Sequence, residues 1–451
     1  MVPLNVHMDK TYHFKVLGCR MNHAERREME SILIDRGMKQ CKDSPDLEIV
    51  HTCSVTGQAA AKSRNAIRRA ARNGQHVFVT GCFPGTDPEV AAELGDTVVT
   101  QAGAVPMLDR FAQEVDTWLE LPRTTNPPIS TSLPITMLPT NSAEHTRAEL
   151  RIQDGCDAHC TFCIIPKIRK TLRSKSIEDT VTEATRLVEL GHKEIVLTGV
   201  FIGAYGHETA LRRKQKNSEG EYLADLLDAV AQIGGLERLR ISSMEPGDVT
   251  LTLLDAMVAN RPVVVPHLHL PLQSGSNDVL HKMNRQYNVE HYIEMINMVN
   301  SRLTVDGLPP ALTTDIICGF PTETLDDFEQ TIQIAKQVGY LHIHVFPYSV
   351  RTGTAAARWK QLPPTVVQER VQRLLSLDEE LSLAYRQQLV GREVHVIIEQ
   401  KANQDGYMRG RCEQYVEVTL RSDLKSGEHV AAKVSRIVGA NTFAEMCLKV
   451  L

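Results

Sequence analysis

The sequence predicts an α/β protein in three parts: an N-terminal α/β domain on a parallel sheet, a partial (βα)6 barrel, and a small C-terminal β-barrel. Three observations predict it. Apolar runs alternate with amphipathic helical stretches over residues 1–120 and again over 145–385, and strand–helix alternation calls for parallel sheets. Between these blocks, LPRTTNPPISTSLPITMLPTN (residues 121–141) repeats proline with Ser and Thr and has no helical period, so residues 121–144 read as a linker. From residue 386 to 451 the alternation stops and only short strand-like runs remain.

In the first block, residues 12–17, 47–52 and 77–80 read as buried strands, and 22–36 and 58–72 as helices with charged faces. In the second block, strands are expected at 148–153, 194–197, 236–241, 267–270, 313–317 and 342–346. Helices fall between them, at 176–190, 222–233 and 324–338 among others. Ligand sites of such folds lie at the strand C-terminal ends. A helix over 363–389 then leads to strands at 394–399, 407–412, 416–421, 429–438 and 443–450, the pattern of an oligonucleotide-binding type of barrel.

Composition narrows the function classes. The chain has 451 residues, 42% hydrophobic and 23% charged, with a net charge of −5, which is globular and not globally basic. Nucleic-acid contact must then use local patches. No run approaches the ~18 apolar residues of a spanning helix, and the start, MVPLNVHMDK, lacks a signal-peptide core, so a cytoplasmic protein without membrane contact is expected. In that compartment the ten cysteines point to metal ligands or core residues rather than disulfides.

The strongest motif is Cys156-Asp-Ala-His-Cys160-Thr-Phe-Cys163, just past the first barrel strand. Three thiolates are one short of a closed site: a 4Fe–4S cluster held this way keeps one iron open, while a zinc knuckle would recruit His159 or a remote ligand. A second set is dispersed. Cys19, Cys53 and Cys82 each follow a strand directly, in FKVLGC, LEIVHTC and VFVTGC. Parallel strands open onto one edge, so these three meet in space, with Gly18 and Gly81 allowing close backbone approach. The bland alternative is three small buried residues at strand ends.

The first motif, with Phe162 before its last cysteine, resembles the radical S-adenosylmethionine (SAM) signature. In that family SAM chelates the open iron, and reduction cleaves it to methionine and a 5′-deoxyadenosyl radical. The two sets together resemble the methylthiotransferases, which join an N-terminal cluster domain, a radical SAM barrel and a C-terminal TRAM domain. LGCRMN, HTCSVT, TGC, QDGCDAHCTFCIIP, LHLPLQSGS, TTDIICGFP and HVFPYSVRTGT carry the resemblance over nearly the whole chain. HTCSVTGQAAAKSRNAIRRAAR, QDGCD and NRQYN are most similar to the MtaB-like branch, which modifies N6-threonylcarbamoyladenosine in tRNA.

The resemblance implies two 4Fe–4S clusters and SAM as cofactors. Cys156, Cys160 and Cys163 would hold the SAM-cleaving cluster, and Cys19, Cys53 and Cys82 an auxiliary cluster that carries or supplies sulfur. One SAM would provide the methyl group and another the radical that activates an adenine C–H bond. Implied partners are tRNAs decoding codons that start with A, a low-potential electron donor and a sulfur source. Three departures from the family pattern stand out: Arg169-Lys170 after IIP, Val200-Phe201 after LTG, and Thr322 in GFPTE.

Candidate SAM contacts follow the strands: Phe162 in the loop, Thr198 and Gly199 after the second strand, Ser242 and Glu245 after the third, Gln273 and Ser274 after the fourth. A turn or cap role is the competing reading for Ser242 and Ser274. Asp315 is either a buried network member or a site residue. His267 and His269 alternate on a strand and read as structural. Two basic patches are candidates for RNA phosphate: Arg64 and Arg68 on the helix after Cys53, and Lys167, Arg169 and Arg173 in a run of five cations beside the cluster loop. Cys318, Cys412 and Cys447 read as core.

Other readings stay open from sequence: the same chemistry on isopentenyladenosine or a ribosomal-protein aspartate, or a non-catalytic iron–sulfur RNA-binding or sensor protein. A cobalamin-dependent methylase lacks its Asp-x-His-x-x-Gly signature in the first block.

Overall fold

A computed structural model describes residues 10–73, 76–94, 98–100, 107–121, 146–211, 222–401 and 406–447. The expected linker therefore lies outside the described residues, apart from Leu121.

The first sheet is parallel, in the order β2-β1-β3-β4-β5, from β1 (Thr11–Val16), β2 (Lys39–Gln40), β3 (Leu47–Thr52), β4 (His76–Gly81) and β5 (Val98–Thr100). The two edge strands are too short to leave a period in the sequence. Every residue of β3 is buried, as a central parallel strand covered on both faces requires. Helices α1 (Arg20–Asp35), α2 (Gly57–Arg72), α3 (Cys82–Thr86), α4 (Pro88–Ala92) and α5 (Met107–Trp118) complete this part. Thr56 caps α2 by accepting from the Ala59 N–H.

All six expected barrel strands are present: β6 (Arg147–Asp154), β8 (Glu194–Gly199), β9 (Arg238–Ile241), β10 (His267–His269), β11 (Ala311–Cys318) and β12 (His342–Pro347). A two-residue β7 (Arg173–Ser174) pairs antiparallel with the end of β6. The bridges Leu239↔Val264 and Ser243↔His269 join the two halves into one parallel wall. The helices are α6 (Ile165–Ile168), α7 (Ile177–Glu189), α8 (Tyr222–Ala231), α9 (Leu251–Ala259), α10 (Asn277–Lys282), α11 (Val289–Leu303), α12 (Leu325–Val338) and α13 (Pro364–Gln387). The largest core, with Leu150, Leu197, Leu239, Leu268, Leu312 and Phe328, fills the space between strands and helices. α1 of the first part lies against β6: Arg27 donates to the Glu149 carbonyl (3.0 Å), and Arg151 pairs with Glu28 (2.6 Å).

The last strands, β13 (Glu393–Lys401), β14 (Tyr407–Cys412), β15 (Glu417–Arg421), β16 (His429–Val438) and β17 (Asn441–Met446), close into a barrel. Its β14–β15 turn enters the floor of the larger barrel. There Arg240 donates to the carbonyls of Cys412 and Glu413 (both 2.9 Å), and Arg238 to that of Arg411 (2.7 Å). Glu194 neutralises Arg240 (2.7 Å) and Arg147 (2.6 Å). The Tyr415 ring lies 4.8–5.7 Å from the guanidinium carbons of Arg411, Arg240, Arg147 and Arg20. Cys318 and Cys412 are core as expected, but Cys447 is not: it is half-exposed and bonds Glu393 (3.4 Å) at the barrel rim. No helix among the described residues is long and apolar enough to cross a membrane.

Candidate cluster and substrate site

Cys19, Cys53 and Cys82 follow the C-terminal ends of β1, β3 and β4, three neighbouring parallel strands. Gly18 (φ +119°) and Gly81 (φ +92°) make the approach possible: a Cβ on Gly18 would sit 2.6 Å from Cys53 Cβ, and one on Gly81 2.3 Å from the Thr52 carbonyl oxygen. Side chains the sequence did not single out hold the three loops. Asn22 donates to the carbonyls of Leu17 (2.6 Å) and Thr52 (2.9 Å). Ser63 accepts from Cys53 N–H (3.1 Å) and donates to its carbonyl (2.8 Å). Thr52 Oγ1 donates to the Thr80 carbonyl (2.5 Å) and accepts from Phe83 N–H (3.2 Å). Asn22 stands three residues after Cys19 and Thr52 just before Cys53, so both were findable as polar neighbours of the cysteines.

Cys156, Cys160 and Cys163 lie in the loop after β6. Phe162 packs edge-on against Phe320, with ring centroids 6.4 Å apart, and steadies that loop. Arg285, also missed in the sequence, donates to Cys160 Sγ (3.2 Å) and to Glu245 (2.9 Å). Both loops share one rim: a Cβ on Gly85 would meet Ile168 at 3.1 Å, and the Gly57 N–H donates to Ser349 Oγ (2.8 Å) just past β12.

Burial pushes the thiols of Cys82, Cys156 and Cys163 up to about 12 and raises those of Cys53 and Cys160. Thiolates here need a bound metal's charge, so loading must release protons. Among the described residues, neither cysteine set draws three sulfurs within 4.8 Å, whereas His269, Asp315 and His344 bring two ring nitrogens and a carboxylate oxygen within that distance. A single zinc, with Zn–S of about 2.3 Å, needs closer sulfurs, whereas a cluster meets each sulfur at a separate iron. His159 is exposed, and its carbonyl accepts from Asn284. The donor sets fit clusters better than a zinc knuckle.

The expected SAM contacts divide. Thr198 is buried at the end of β8, and Gly199 lies against Gln153, whose Oε1 accepts from Phe201 N–H (2.8 Å). Ser242 Oγ and Gln273 Oε1 are buried with no partner among the described residues. Glu245 is held by Arg285 beside the cysteine loop. Ser274 is a correction: it is fully buried against α12, near Thr331 Oγ1 (3.4 Å) and accepting from Ser276 N–H (3.2 Å), and serves the turn.

The basic patch beside the loop is a second correction. Arg169 is buried and paired with Glu25 (2.7 Å) and Asp154 (2.9 Å), and Lys175 is buried against Glu183 and Glu28. Neither is free for phosphate. Lys167 is exposed and donates to the Gly353 carbonyl, and Arg173 is half-buried on β7. On α2, Arg64 lies over Phe83 (5.9 Å) and Arg68 is exposed.

The Radical SAM superfamily profile matches residues 150–335, and that of Uncharacterized protein family UPF0004 matches residues 11–103. A Bacillus subtilis protein named threonylcarbamoyladenosine tRNA methylthiotransferase MtaB is 34% identical over 440 residues, 95% of this chain and 93% of that protein. The chain belongs to the radical SAM methylthiotransferase family. A second relative of this methylthiotransferase, from Streptomyces coelicolor, is named tRNA-2-methylthio-N(6)-dimethylallyladenosine synthase and is 33% identical over 88% of this chain and 78% of its own. Among solved structures, the radical SAM methyltransferase TsrM of Kitasatospora setae superposes with a TM-score of 0.56 at 14% identity, covering 77% of each chain, a likeness of fold. Family membership brings a 4Fe–4S cluster and SAM to this methylthiotransferase.

Proposed function

We propose that this methylthiotransferase converts N6-threonylcarbamoyladenosine beside the tRNA anticodon to its 2-methylthio derivative. The observation that carries the proposal is the placement of two three-cysteine sets on one rim, with relatives named for this reaction supporting the substrate. Cys156, Cys160 and Cys163 would hold the SAM-binding cluster, and Cys19, Cys53 and Cys82 an auxiliary 4Fe–4S cluster. When bound, these groups supply a radical, a methyl group and sulfur. The chain's own part is to position and to exclude water. Thr198, Gly199, Ser242, Glu245 and Gln273 line the strand ends where SAM would lie, and Arg285 fixes Glu245 against Cys160. Arg64, Arg68, Lys167 and Arg173 would meet RNA phosphates. The proposal extends to a low-potential electron donor, a sulfur source, tRNAs reading codons that begin with A, and a cytoplasmic setting.

The test is anaerobic reconstitution followed by nucleoside mass analysis. Cys156→Ala should abolish SAM cleavage, whereas Cys53→Ala should keep cleavage and lose thiolation. If both variants thiolate tRNA normally, the cluster assignment fails. Methylthiolation of dimethylallyladenosine in place of the threonylcarbamoyl base would move the protein to the other substrate.

A further inference from the structure

We infer that the cavity beside Arg20 receives the carboxylate of the threonyl group, with the Arg20 guanidinium as its partner. This rests on the threonylcarbamoyl reading above.

A cavity of about 600 Å3 opens between β10–β12, α13 and the C-terminal barrel, with Arg20, His269, His344, Arg386, Arg411 and Tyr415 in its wall. Arg20 follows Cys19 directly, so the cavity wall adjoins the loop that carries that cysteine. Charge bookkeeping singles this residue out. The other arginines of the barrel interior and cavity wall, Arg386 aside, each have a carboxylate within 4 Å: Arg147 has Glu194 and Glu399, Arg238 and Arg240 share Glu194, Arg151 has Glu28, Arg169 has Glu25, and Arg411 has Glu399 and Glu417. Arg20 has no carboxylate in ion-pair range among the described residues; it donates to the Tyr415 hydroxyl at 3.2 Å. That bond, with the ring itself held among four guanidinium groups, aims the fork at the cavity and leaves further N–H donors free.

Of the cavity's own acids, Asp378 accepts from His342 Nδ1 (2.9 Å) and the Ile343 N–H (2.6 Å), Glu417 lies 3.9 Å from Arg411, and Glu379 is exposed to solvent; Asp315, behind His269, lies 3.2 Å from its Nε2. Arg386 donates to the carbonyls of Ser382 (3.3 Å) and Gly439 (3.1 Å) and has no carboxylate in ion-pair range among the described residues. A half-enclosed space in which neither Arg20 nor Arg386 has a carboxylate in ion-pair range among the described residues favours an anion. The threonylcarbamoyl substituent ends in a carboxylate and carries a hydroxyl. A dimethylallyl group would leave these cations unpaired and desolvated. A backbone phosphate is the other anion a tRNA could bring, and the test separates the two.

The full-length reconstituted enzyme is assayed on a tRNA carrying threonylcarbamoyladenosine and on the same tRNA with the threonyl carboxylate capped as its methyl ester. Arg20→Gln should lower kcat/KM on the free carboxylate by about tenfold to a hundredfold, the scale of a lost charge-assisted bond. Arg20→Lys should recover part of it. Capping should lower the wild-type value by a similar factor and leave Arg20→Gln no worse. Indifference of the wild type to capping overturns the inference whatever the variants do. Equal loss by Arg20→Gln on capped and free substrates assigns Arg20 to phosphate or to structure, and overturns it too. A wild type that ignores the threonylcarbamoyl tRNA and thiolates a dimethylallyl tRNA overturns the parent reading along with it.

Discussion

Replacing Glu25 by Gln removes the negative centre of the network that fastens α1 to the barrel. Glu25 is fully buried; it accepts from Arg169 at 2.7 and 3.0 Å and lies 3.0 Å from His51 Nε2. Burial alone would raise its carboxyl pKa, yet Arg169 and then His51 hold it far below the ordinary range, so it is charged in the fold. Breaking a buried pair from one side costs about 3–5 kcal/mol. Asp154 remains 2.9 Å from Arg169 as a second counter-ion, so the lower figure, about 3 kcal/mol, applies. With an unfolding entropy of about 2.1 cal/mol/K per residue, that lowers Tm by about 13 °C if the first ~110 residues melt alone and by about 4 °C if they melt with the barrel. Calorimetry of the apo-protein, with proteolysis of the N-terminal part as a second probe, reads both numbers. A shift below about 1 °C would refute the claim that this pair couples the two parts.

Three further outcomes are expected. Burial opposes ionisation of Glu194, but Arg240, Arg147 and Arg238 depress its pKa from 4.5 to about 2. A depressed carboxyl contributes stability above its unfolded value, so about 3 kcal/mol present at neutral pH is lost as pH falls from about 4.5 through about 2, and Glu194→Gln should flatten that limb of an acid-unfolding curve. Arg285→Met removes the donor to Cys160 Sγ and should make the potential of the cluster proposed there more negative in an EPR-monitored titration; an unchanged potential would separate Arg285 from it. Tyr415→Leu should loosen the C-terminal barrel by about 2 kcal/mol in denaturant melts, while Tyr415→Phe, which keeps the ring and loses only the Arg20 bond, should retain most of the stability.

The sequence by itself determined the longer strands, and with them the cysteine positions, because both signals are local; the short β2, β5 and β7 left no such signal. An apolar run followed by Gly-Cys or Thr-Cys marks a strand end whichever partner it later pairs with, and parallel topology brings three such ends to one edge. Charged residues were harder to place, since their burial depends on partners far along the chain. Arg169 and Lys175 read as a phosphate patch, but Glu25, more than 140 residues earlier, pairs with Arg169 inside, and Glu183 together with the distant Glu28 holds Lys175 there. Arg238 and Arg240 alternate with apolar neighbours as on a solvent-facing strand; only tertiary structure turns that face into the barrel interior, where Glu194 and the β14–β15 turn compensate it. Likewise, nothing local shows that Arg20 has no acidic partner among the described residues. Backbone pattern is written in neighbouring residues, whereas charge compensation is settled only when distant segments meet.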